Sequence, residues 1–274
     1  MLRYRVITAA IGLPLIVLAI WFGGPWPWFS LLIAAAALAS AFEFYRMANF
    51  HTREPLLYLG LLWTLAFVLS PHYTNPNILP IVITATVLAS LICLLLRRPR
   101  ENAFRDWAWT IVGALYVGWM LSYWLNLRGL DDGRNWVYLA MLTTFANDTG
   151  AYFIGRATGK HKLAPAISPA KTWEGAIGGL ASAVVAAVII ATVLKLISVH
   201  VGALFVFGYW QITLLGFMVG LFAQLGDLVE SLLKRNMGVK ESGNLLPGHG
   251  GVLDRFDSLI FVGAVVYYYA VWVL

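Results

Sequence analysis

The sequence contains few charged residues and almost no cysteine. Charged side chains make up 12% of its 274 residues, whereas a soluble domain carries about 25%. The single cysteine, Cys93, lies inside an apolar run. A disulfide framework and a cysteine metal cluster are therefore excluded. The scarcity of charge also argues against a soluble enzyme and indicates a chain that lies mostly in a membrane.

Long apolar runs take the place of the missing charge. Hydrophobic residues make up 60% of the chain, and its mean hydropathy is +0.77. Apolar runs long enough to cross a bilayer recur throughout. The pattern predicts an all-α, polytopic integral membrane protein with about nine transmembrane helices. The predicted spans are 6–22, 27–47, 56–71, 77–96, 107–127, 135–155, 174–197, 209–232 and 257–274.

The basic residues predict how the chain is oriented. Sixteen of the 19 Lys and Arg residues fall in loops on one side of the predicted membrane. The positive-inside rule then places the N-terminus in the cytoplasm. The net charge of +6 is thus explained by topology and does not indicate nucleic-acid binding. The two late polar loops, 156–173 and 233–256, are separated by two spans, so both are predicted to be cytoplasmic.

Charge reappears in one late stretch, 226–258, which contains five of the 13 acidic residues and lies between apolar runs. We interpret this stretch as the chemical centre of the protein. The chain accordingly divides into N-terminal membrane helices, 1–130, and a predicted catalytic region, 131–274. In that region Gly250 and Gly251 would let the backbone approach a ligand closely.

Four aspartates are candidates for catalysis. Asp148 lies within a predicted span, where an acid costs about 2.5–3.5 kcal/mol and usually marks a functional site; a structural basic partner is the alternative. Asp227 lies near the end of the eighth span. Asp254 and Asp257, at positions i and i+3, begin the ninth, where acids also complement the helix dipole. Because Mg²⁺ prefers oxygen ligands, these carboxylates predict a magnesium site.

The other late loop suggests phosphate binding. The run from Gly155 to Lys160 is one residue short of a Walker loop and follows a membrane helix, so it is not that motif. Ser168 or Thr172 is placed to cap the next helix. Lys171 would oppose the dipole of that helix unless an anion lies there. A phosphate bound at the helix N-terminus would remove the conflict.

The motifs resemble one family. The run S231-x-x-K-R-(x4)-K-E-S-G-(x3)-P-G-H-G-G-(x2)-D-R-x-D257 is similar to the signature of phosphatidate cytidylyltransferase, also called CDP-diacylglycerol synthase. Asn147-Asp148 and the stretch 168–174 are similar to that family too, whereas the first half matches only in being apolar. Two positions depart from the pattern: Glu241 replaces an Asp, and Ala170 replaces a frequent Lys.

The resemblance implies transfer of a cytidylyl group from CTP to phosphatidate, giving CDP-diacylglycerol and pyrophosphate. It further implies Mg²⁺, with a second cation left open, and a homodimer in the bacterial inner membrane whose active site faces the cytoplasm. The predicted metal ligands are Asp227, Asp254 and Asp257, and the predicted catalytic residues are these with Asp148 and Lys171. The predicted substrate-binding residues are Arg156, Ser168, Glu174, Ser231, Lys234, Arg235, Lys240, His249, Gly250, Gly251 and Arg255.

Other classes of membrane protein remain as rivals. A transporter would place polar groups near the midplane and show repeated halves, but the charges here gather at one face and no repeat is visible. A nucleotidyltransferase or kinase acting on another lipid stays open, because acyl recognition leaves little trace in sequence. A CDP-alcohol phosphotransferase is disfavoured by the lack of a D-G-x-x-A-R run.

Overall fold

A computed structural model describes residues 2–22, 24–48, 55–96, 102–201, 208–245, 248 and 250–273. The protein is mostly helical (83%). Its α-helices, in chain order, are α1 Leu2–Trp21, α2 Ser30–Met47, α3 Pro55–Val68, α4 Ile78–Leu96, α5 Ala103–Gly113, α6 Met120–Gly129, α7 Gly133–Thr158, α8 Trp173–Val201, α9 Tyr209–Asn236 and α10 Leu253–Val273. A short π-helical segment, Pro25–Phe29, leads into α2, and a second, Ala114–Trp119, links α5 to α6. A 3-10 turn covers Ser70–His72.

The predicted membrane character is confirmed in its general form. By length and composition, six helices of the described chain could cross a membrane: Pro25–Met47, Ile78–Leu96, Ala103–Gly129, Trp173–Leu196, Tyr209–Asn236 and Leu253–Val273. A shorter apolar helix covers Leu56–Val68. Each predicted span falls on a helix, but the number nine and the orientation of the N-terminus stay predictions. Helix α7 is absent from the six and carries Arg134, Asp148 and Arg156.

One element departs from the all-α prediction. Strands β1 (Lys162–Ala164) and β2 (Ser168–Thr172) form an antiparallel hairpin between α7 and α8. Lys162 pairs with Thr172, and Ala164 pairs with Ser168. The short strands lack a clear apolar alternation, so the sequence pattern did not predict them.

The chain forms two compact units, and the first comprises Met1–Asn126 and Met237–Phe256. Tyr45 of α2 is fully buried in its core. A Cβ on Gly60 or Gly113 would lie 2.5 Å from the Tyr45 ring, and the Tyr45 hydroxyl donates a hydrogen bond to the Thr110 carbonyl at 3.0 Å. The late loop between α9 and α10 belongs to this unit.

The second unit comprises Leu127–Asn236 and Asp257–Leu274, and in it α8 packs against both α7 and α9. Small residues let α7 and α8 approach closely, as is common between membrane helices. A Cβ on Gly175 would lie 2.9 Å from the Ala151 carbonyl, and a Cβ on Gly179 would lie 2.8 Å from the Ala151 Cβ. This close approach positions the polar part of α7 beside the start of α8.

Replacing Gly179 with leucine should force α7 and α8 apart. Overpacking a core usually costs about 1–3 kcal/mol, and here part of the clash is with the Asn147 carbonyl, only 2.9 Å from the point that the new Cβ would occupy. We expect a clear fall in the melting temperature of the detergent-solubilised protein, followed by fluorescence-detected size exclusion. Gly12→Leu is the control, since a Cβ there meets nothing within 4 Å. Equal melting temperatures for the two variants would contradict close α7–α8 packing.

Candidate functional site

A cavity of about 370 Å³ opens in the second unit between α7, the hairpin, the start of α8 and α9. One part of its wall is polar and includes Asp148, Arg156, Lys171 and Asp227. The rest of its wall is partly apolar, with contributions from Ala151, Leu163, Ala170, Ala176 and Leu228. The cavity can therefore accept a ligand that is charged at one end and apolar at the other.

An ion pair crosses this cavity. Lys171 Nζ, from β2, lies 2.7 Å from Asp227 Oδ2, on α9. The two side chains keep 24% and 36% of their accessible surface, respectively. The Lys171 Nζ atom itself is buried, whereas the Asp227 side chain remains partly open to a ligand. The sequence predicted both residues as catalytic but did not predict that they pair with each other.

Two further carboxylates interact with Asp227. Asp148 of α7 and Asp257 of α10 each interact electrostatically with Asp227, and also with each other. Gly226 allows α10 to approach α9, because a Cβ on it would lie 2.6 Å from the Asp257 carbonyl. The second unit therefore gathers three acids from three different helices. Each of these acids disfavours ionisation of the others, and an opposite charge nearby would favour their ionised forms.

A pair of side-chain amides, Asn147 and Gln224, orients Asp148. Asn147 Nδ2 donates a hydrogen bond to Asp148 Oδ1 at 3.0 Å. Gln224 Nε2 of α9 donates to Asn147 Oδ1 at 3.0 Å and to the Ala176 carbonyl at 2.9 Å. Gln224 thus joins α7, α8 and α9 at the wall of the cavity. Sequence reasoning assigned it no role, although an amide within a predicted span is a usable signal.

The hairpin that carries Lys171 is held by two predicted substrate-binding residues. The Glu174 carboxylate accepts hydrogen bonds from the backbone N–H groups of Lys160, at 3.1 Å, and His161, at 3.2 Å. It also lies 2.6 Å from His161 Nδ1. Arg235 Nε donates to the Ile167 carbonyl at 3.1 Å. In this structure Glu174 and Arg235 support the hairpin, and their contact with substrate stays a prediction.

Of the two candidate caps for α8, the structure uses Thr172. Its Oγ1 accepts a hydrogen bond from the Gly175 N–H at 3.2 Å. Ser168 instead pairs with Ala164 at the far end of the hairpin. The cap fixes the residue next to Lys171, and Lys171 therefore enters the cavity from a constrained backbone.

The remaining predicted residues of the second unit lie close to the acids. Ser231 Oγ donates a hydrogen bond to Asp227 Oδ1 at 3.4 Å. Lys234 Nζ lies 2.5 Å from Glu230 Oε2 and also interacts electrostatically with Asp257. Arg156 lines the cavity. Ser231 is thus placed to orient Asp227, and Lys234 adds positive charge near the acids.

The predicted residues of the first unit form a second polar cluster. Asp254 Oδ2 accepts hydrogen bonds from the N–H groups of Ser242 and Gly251, both at 3.0 Å. Gly250 has a φ of +79°, a conformation that favours glycine. Lys240 and Arg255 are exposed. The prediction for His249 lies outside the described residues.

The donor chemistry at the acids fits Mg²⁺. Among the described residues, no group of three His, Cys, Asp or Glu side chains is arranged to hold a metal ion unaided. Mg²⁺, however, is often held by one or two carboxylates together with substrate phosphates and water. Asp227 and Asp257 supply such carboxylates, so the arrangement suits an ion whose remaining ligands are phosphate oxygens and water.

Glu43 is a polar residue that sequence reasoning did not identify. It lies on α2, is 2% exposed, and contacts the late loop through Ser242 and Leu253. The rule that singled out Asp148, an acid inside an apolar span, applies equally to Glu43. The first half of the chain carries no motif that marks this residue.

The structure predicts that Glu174 stabilises the hairpin. In Glu174→Ala the amides of Lys160 and His161 lose their acceptor, so the hairpin should open more often. We expect trypsin to cleave after Lys160 and Lys162 several-fold faster, as measured by mass spectrometry of timed digests. Asp131→Ala, which removes an exposed acid elsewhere in the unit, should leave that rate unchanged. Equal cleavage rates in both variants would show that Glu174 does not hold the hairpin.

Comparison with known proteins assigns the chain to a family. Residues 3–273 match the model of the cytidylyltransferase family. Proteins named phosphatidate cytidylyltransferase are 36% identical in Bacillus subtilis, over 88% of this chain and 87% of the relative, and 33% identical in Synechocystis, over 98% and 97%. The protein of the same name from Staphylococcus haemolyticus is 34% identical, over 95% of this chain and 96% of the relative. The chain is therefore a nucleotidyltransferase that belongs to the cytidylyltransferase family, among relatives named phosphatidate cytidylyltransferase.

Proposed function

We propose that this protein transfers the cytidylyl group of CTP to phosphatidate in the cavity of the second unit, forming CDP-diacylglycerol and pyrophosphate. The observation that carries the proposal is the Lys171–Asp227 ion pair, at 2.7 Å, set among the carboxylates of Asp148 and Asp257. A cluster of carboxylates beside a lysine at a cavity wall suits a reaction between two phosphates. The relatives' name supplies the two substrates.

In the proposed reaction a phosphate oxygen of phosphatidate attacks the α-phosphorus of CTP in line. The new bond joins that oxygen to the α-phosphorus, and the bond from the α-phosphorus to the oxygen bridging the β-phosphorus breaks. Pyrophosphate leaves with the electron pair of the broken bond. Both reactants are anions, so the protein acts chiefly by neutralising charge and by positioning.

Lys171 is proposed to hold a substrate phosphate. It lies just before α8, whose N-terminus favours anions, and its backbone is fixed by the Thr172 cap. Arg156, at the same cavity, would share the negative charge. A phosphate that draws Lys171 away from Asp227 leaves that carboxylate available for a cation.

Asp227 and Asp257 are proposed to hold Mg²⁺, with Asp148 nearby; Asp254 remains a further candidate ligand. When bound, Mg²⁺ would neutralise phosphate charge and stabilise the leaving pyrophosphate. Ser231, through its hydrogen bond of 3.4 Å, orients the Asp227 carboxylate. Lys234 is placed to offset the charge of Asp257.

The apolar wall of the cavity supports a lipid acceptor. Leu163, Ala176 and Leu228 lie on that wall, and two of the helices around it, α8 and α9, are apolar enough to face acyl chains. We propose that phosphatidate reaches the cavity sideways, with its tails between the helices. The basic loops favour a cytoplasmic active site in a bacterial plasma membrane, and the family resemblance supports a homodimer.

The proposed activity predicts a Mg²⁺-dependent product. Purified protein in detergent, supplied with labelled CTP, phosphatidate and Mg²⁺, should form CDP-diacylglycerol and pyrophosphate, and excess EDTA should abolish both. Thin-layer chromatography of the lipid phase measures the product. The proposal fails if no CDP-lipid forms where the Bacillus subtilis relative is active. Faster turnover with ATP, or with another phosphorylated lipid, would replace the proposed substrate.

The ion pair predicts which variants lose turnover. Lys171→Met and Asp257→Asn should each lower kcat/KM by about 100- to 1000-fold, the usual effect of removing a group that stabilises charge in the transition state. Melting temperatures should stay near that of the unaltered protein. Lys195→Met is the matched control, since Lys195 lies on α8 over the Tyr209 ring, away from the cavity. Substantial activity in Lys171→Met would remove Lys171 from the site.

A further inference from the structure

The buried carboxylate of Glu43 has no role in the reaction described above. Glu43 lies on α2, within a stretch apolar enough to cross a membrane, and is 2% exposed. Burying a carboxylate costs several kcal/mol unless its partners compensate. A buried acid at such a position therefore needs an explanation beyond packing.

Glu43 contacts the late loop at Ser242 and the start of α10 at Leu253, both about 200 residues away from it in the sequence. Its Oε2 accepts a hydrogen bond from Ser242 Oγ at 3.0 Å and another from the Leu253 N–H at 2.9 Å. Leu253 is the first residue of α10, and its N–H is one of those that a helix leaves unsatisfied. Glu43 therefore caps α10 from another helix.

The loop is shaped to fit this carboxylate. A Cβ on Gly243 would lie 2.5 Å from Glu43 Oε1, and a Cβ on Gly251 would lie 2.6 Å from Oε2. Both glycines belong to the motif that the sequence singled out, and here they make room for Glu43. The close approach of backbone at Gly251 is thus used by a side chain of the protein itself.

The same contacts lead on to Asp254. Ser242 donates its backbone N–H to Asp254 Oδ2 at 3.0 Å, and its Oγ accepts the Asp254 N–H at 3.3 Å. Gly251, packed against Glu43, donates its N–H to the same Oδ2 at 3.0 Å. Ser242 therefore connects the Glu43 carboxylate directly to both the backbone and the side chain of Asp254.

We propose that Glu43 is a positioning residue, which fixes Ser242, Gly251 and the start of α10 so that the Asp254 carboxylate is held in the orientation needed to bind a divalent cation. The proposal rests on the proposed function, in which Asp254 is a candidate ligand. It concerns hydrogen bonds rather than contact with substrate. Residues that orient metal ligands typically change metal affinity or activity by about 10- to 100-fold when they are replaced.

Three variants distinguish the effect of losing the hydrogen bonds of Glu43 from the effect of losing side-chain volume. Glu43→Ala removes the acceptor. Glu43→Gln keeps a carbonyl oxygen that can accept from both Ser242 Oγ and the Leu253 N–H, so it should restore wild-type behaviour. Ser40→Ala is the matched control: Ser40 is a buried residue about one turn earlier on α2, and its hydroxyl has no hydrogen-bond partner among the described residues.

The first measurement is independent of catalysis. Mn²⁺, used as a probe for Mg²⁺, is titrated into each purified protein and followed by electron paramagnetic resonance. Glu43→Ala should raise the Mn²⁺ Kd by about 10- to 100-fold, whereas Glu43→Gln and Ser40→Ala should match the unaltered protein. Hydrogen exchange should be faster at the Ser242, Gly251 and Leu253 amides in Glu43→Ala alone.

The second measurement is the Mg²⁺ dependence of CDP-lipid formation. Glu43→Ala should raise the Mg²⁺ concentration for half-maximal rate while leaving the KM for phosphatidate unchanged. An altered melting temperature with unchanged Mn²⁺ affinity would overturn the proposal and leave Glu43 as a packing contact. If Glu43→Ala does not fold, Ser242→Ala must show the same loss of affinity, because it removes the Ser242 Oγ bonds to Glu43 and to the Asp254 N–H while leaving the Glu43–Leu253 bond in place. An inactive wild-type protein would defeat the proposed function, but the Mn²⁺ titration would still decide the role of Glu43.

Discussion

Repulsion between carboxylates is the constraint around which the second unit is organised. Asp148, Asp227 and Asp257 interact electrostatically with one another. Such a group needs positive charge, and Lys171 supplies it at 2.7 Å from Asp227. Lys234 adds positive charge near Asp257, and the proposed Mg²⁺ would offset the negative charge that remains.

Close packing and hydrogen bonds hold the helices of this unit together, because the hydrophobic effect contributes little between membrane helices. Glycines at positions 175 and 179 allow α7 and α8 to approach closely, and the Gln224 amide links three helices through hydrogen bonds. Glu174 then holds the hairpin that presents Lys171. The site therefore depends on close contacts and paired polar groups, which lets a mostly apolar chain carry charged chemistry.

In the first unit, a polar loop is restrained by a side chain from a distant helix. The loop before α10 leads into Asp254 in the first turn of that helix, and it has several glycines, so its own residues restrain it little. Glu43 restrains it from 199 residues away at Ser242 and 210 residues away at Leu253. The N-terminal helices, which show no motif, thereby contribute directly to the geometry of the motif-bearing loop.

The sequence by itself determined the membrane character, the approximate positions of the helices and the acids and Lys171 at the candidate site, because hydropathy and residue type are local properties. It did not determine the hairpin, whose strands are short and lack apolar alternation. It also did not determine that Lys171 pairs with Asp227, that Glu174 and Arg235 hold the hairpin, or that Gln224 and Glu43 form hydrogen bonds to distant parts of the chain. Each of these depends on which helices pack together and how closely. Contacts between residues distant in the chain are chosen by the shapes of the packed helices, and only the tertiary structure decides them.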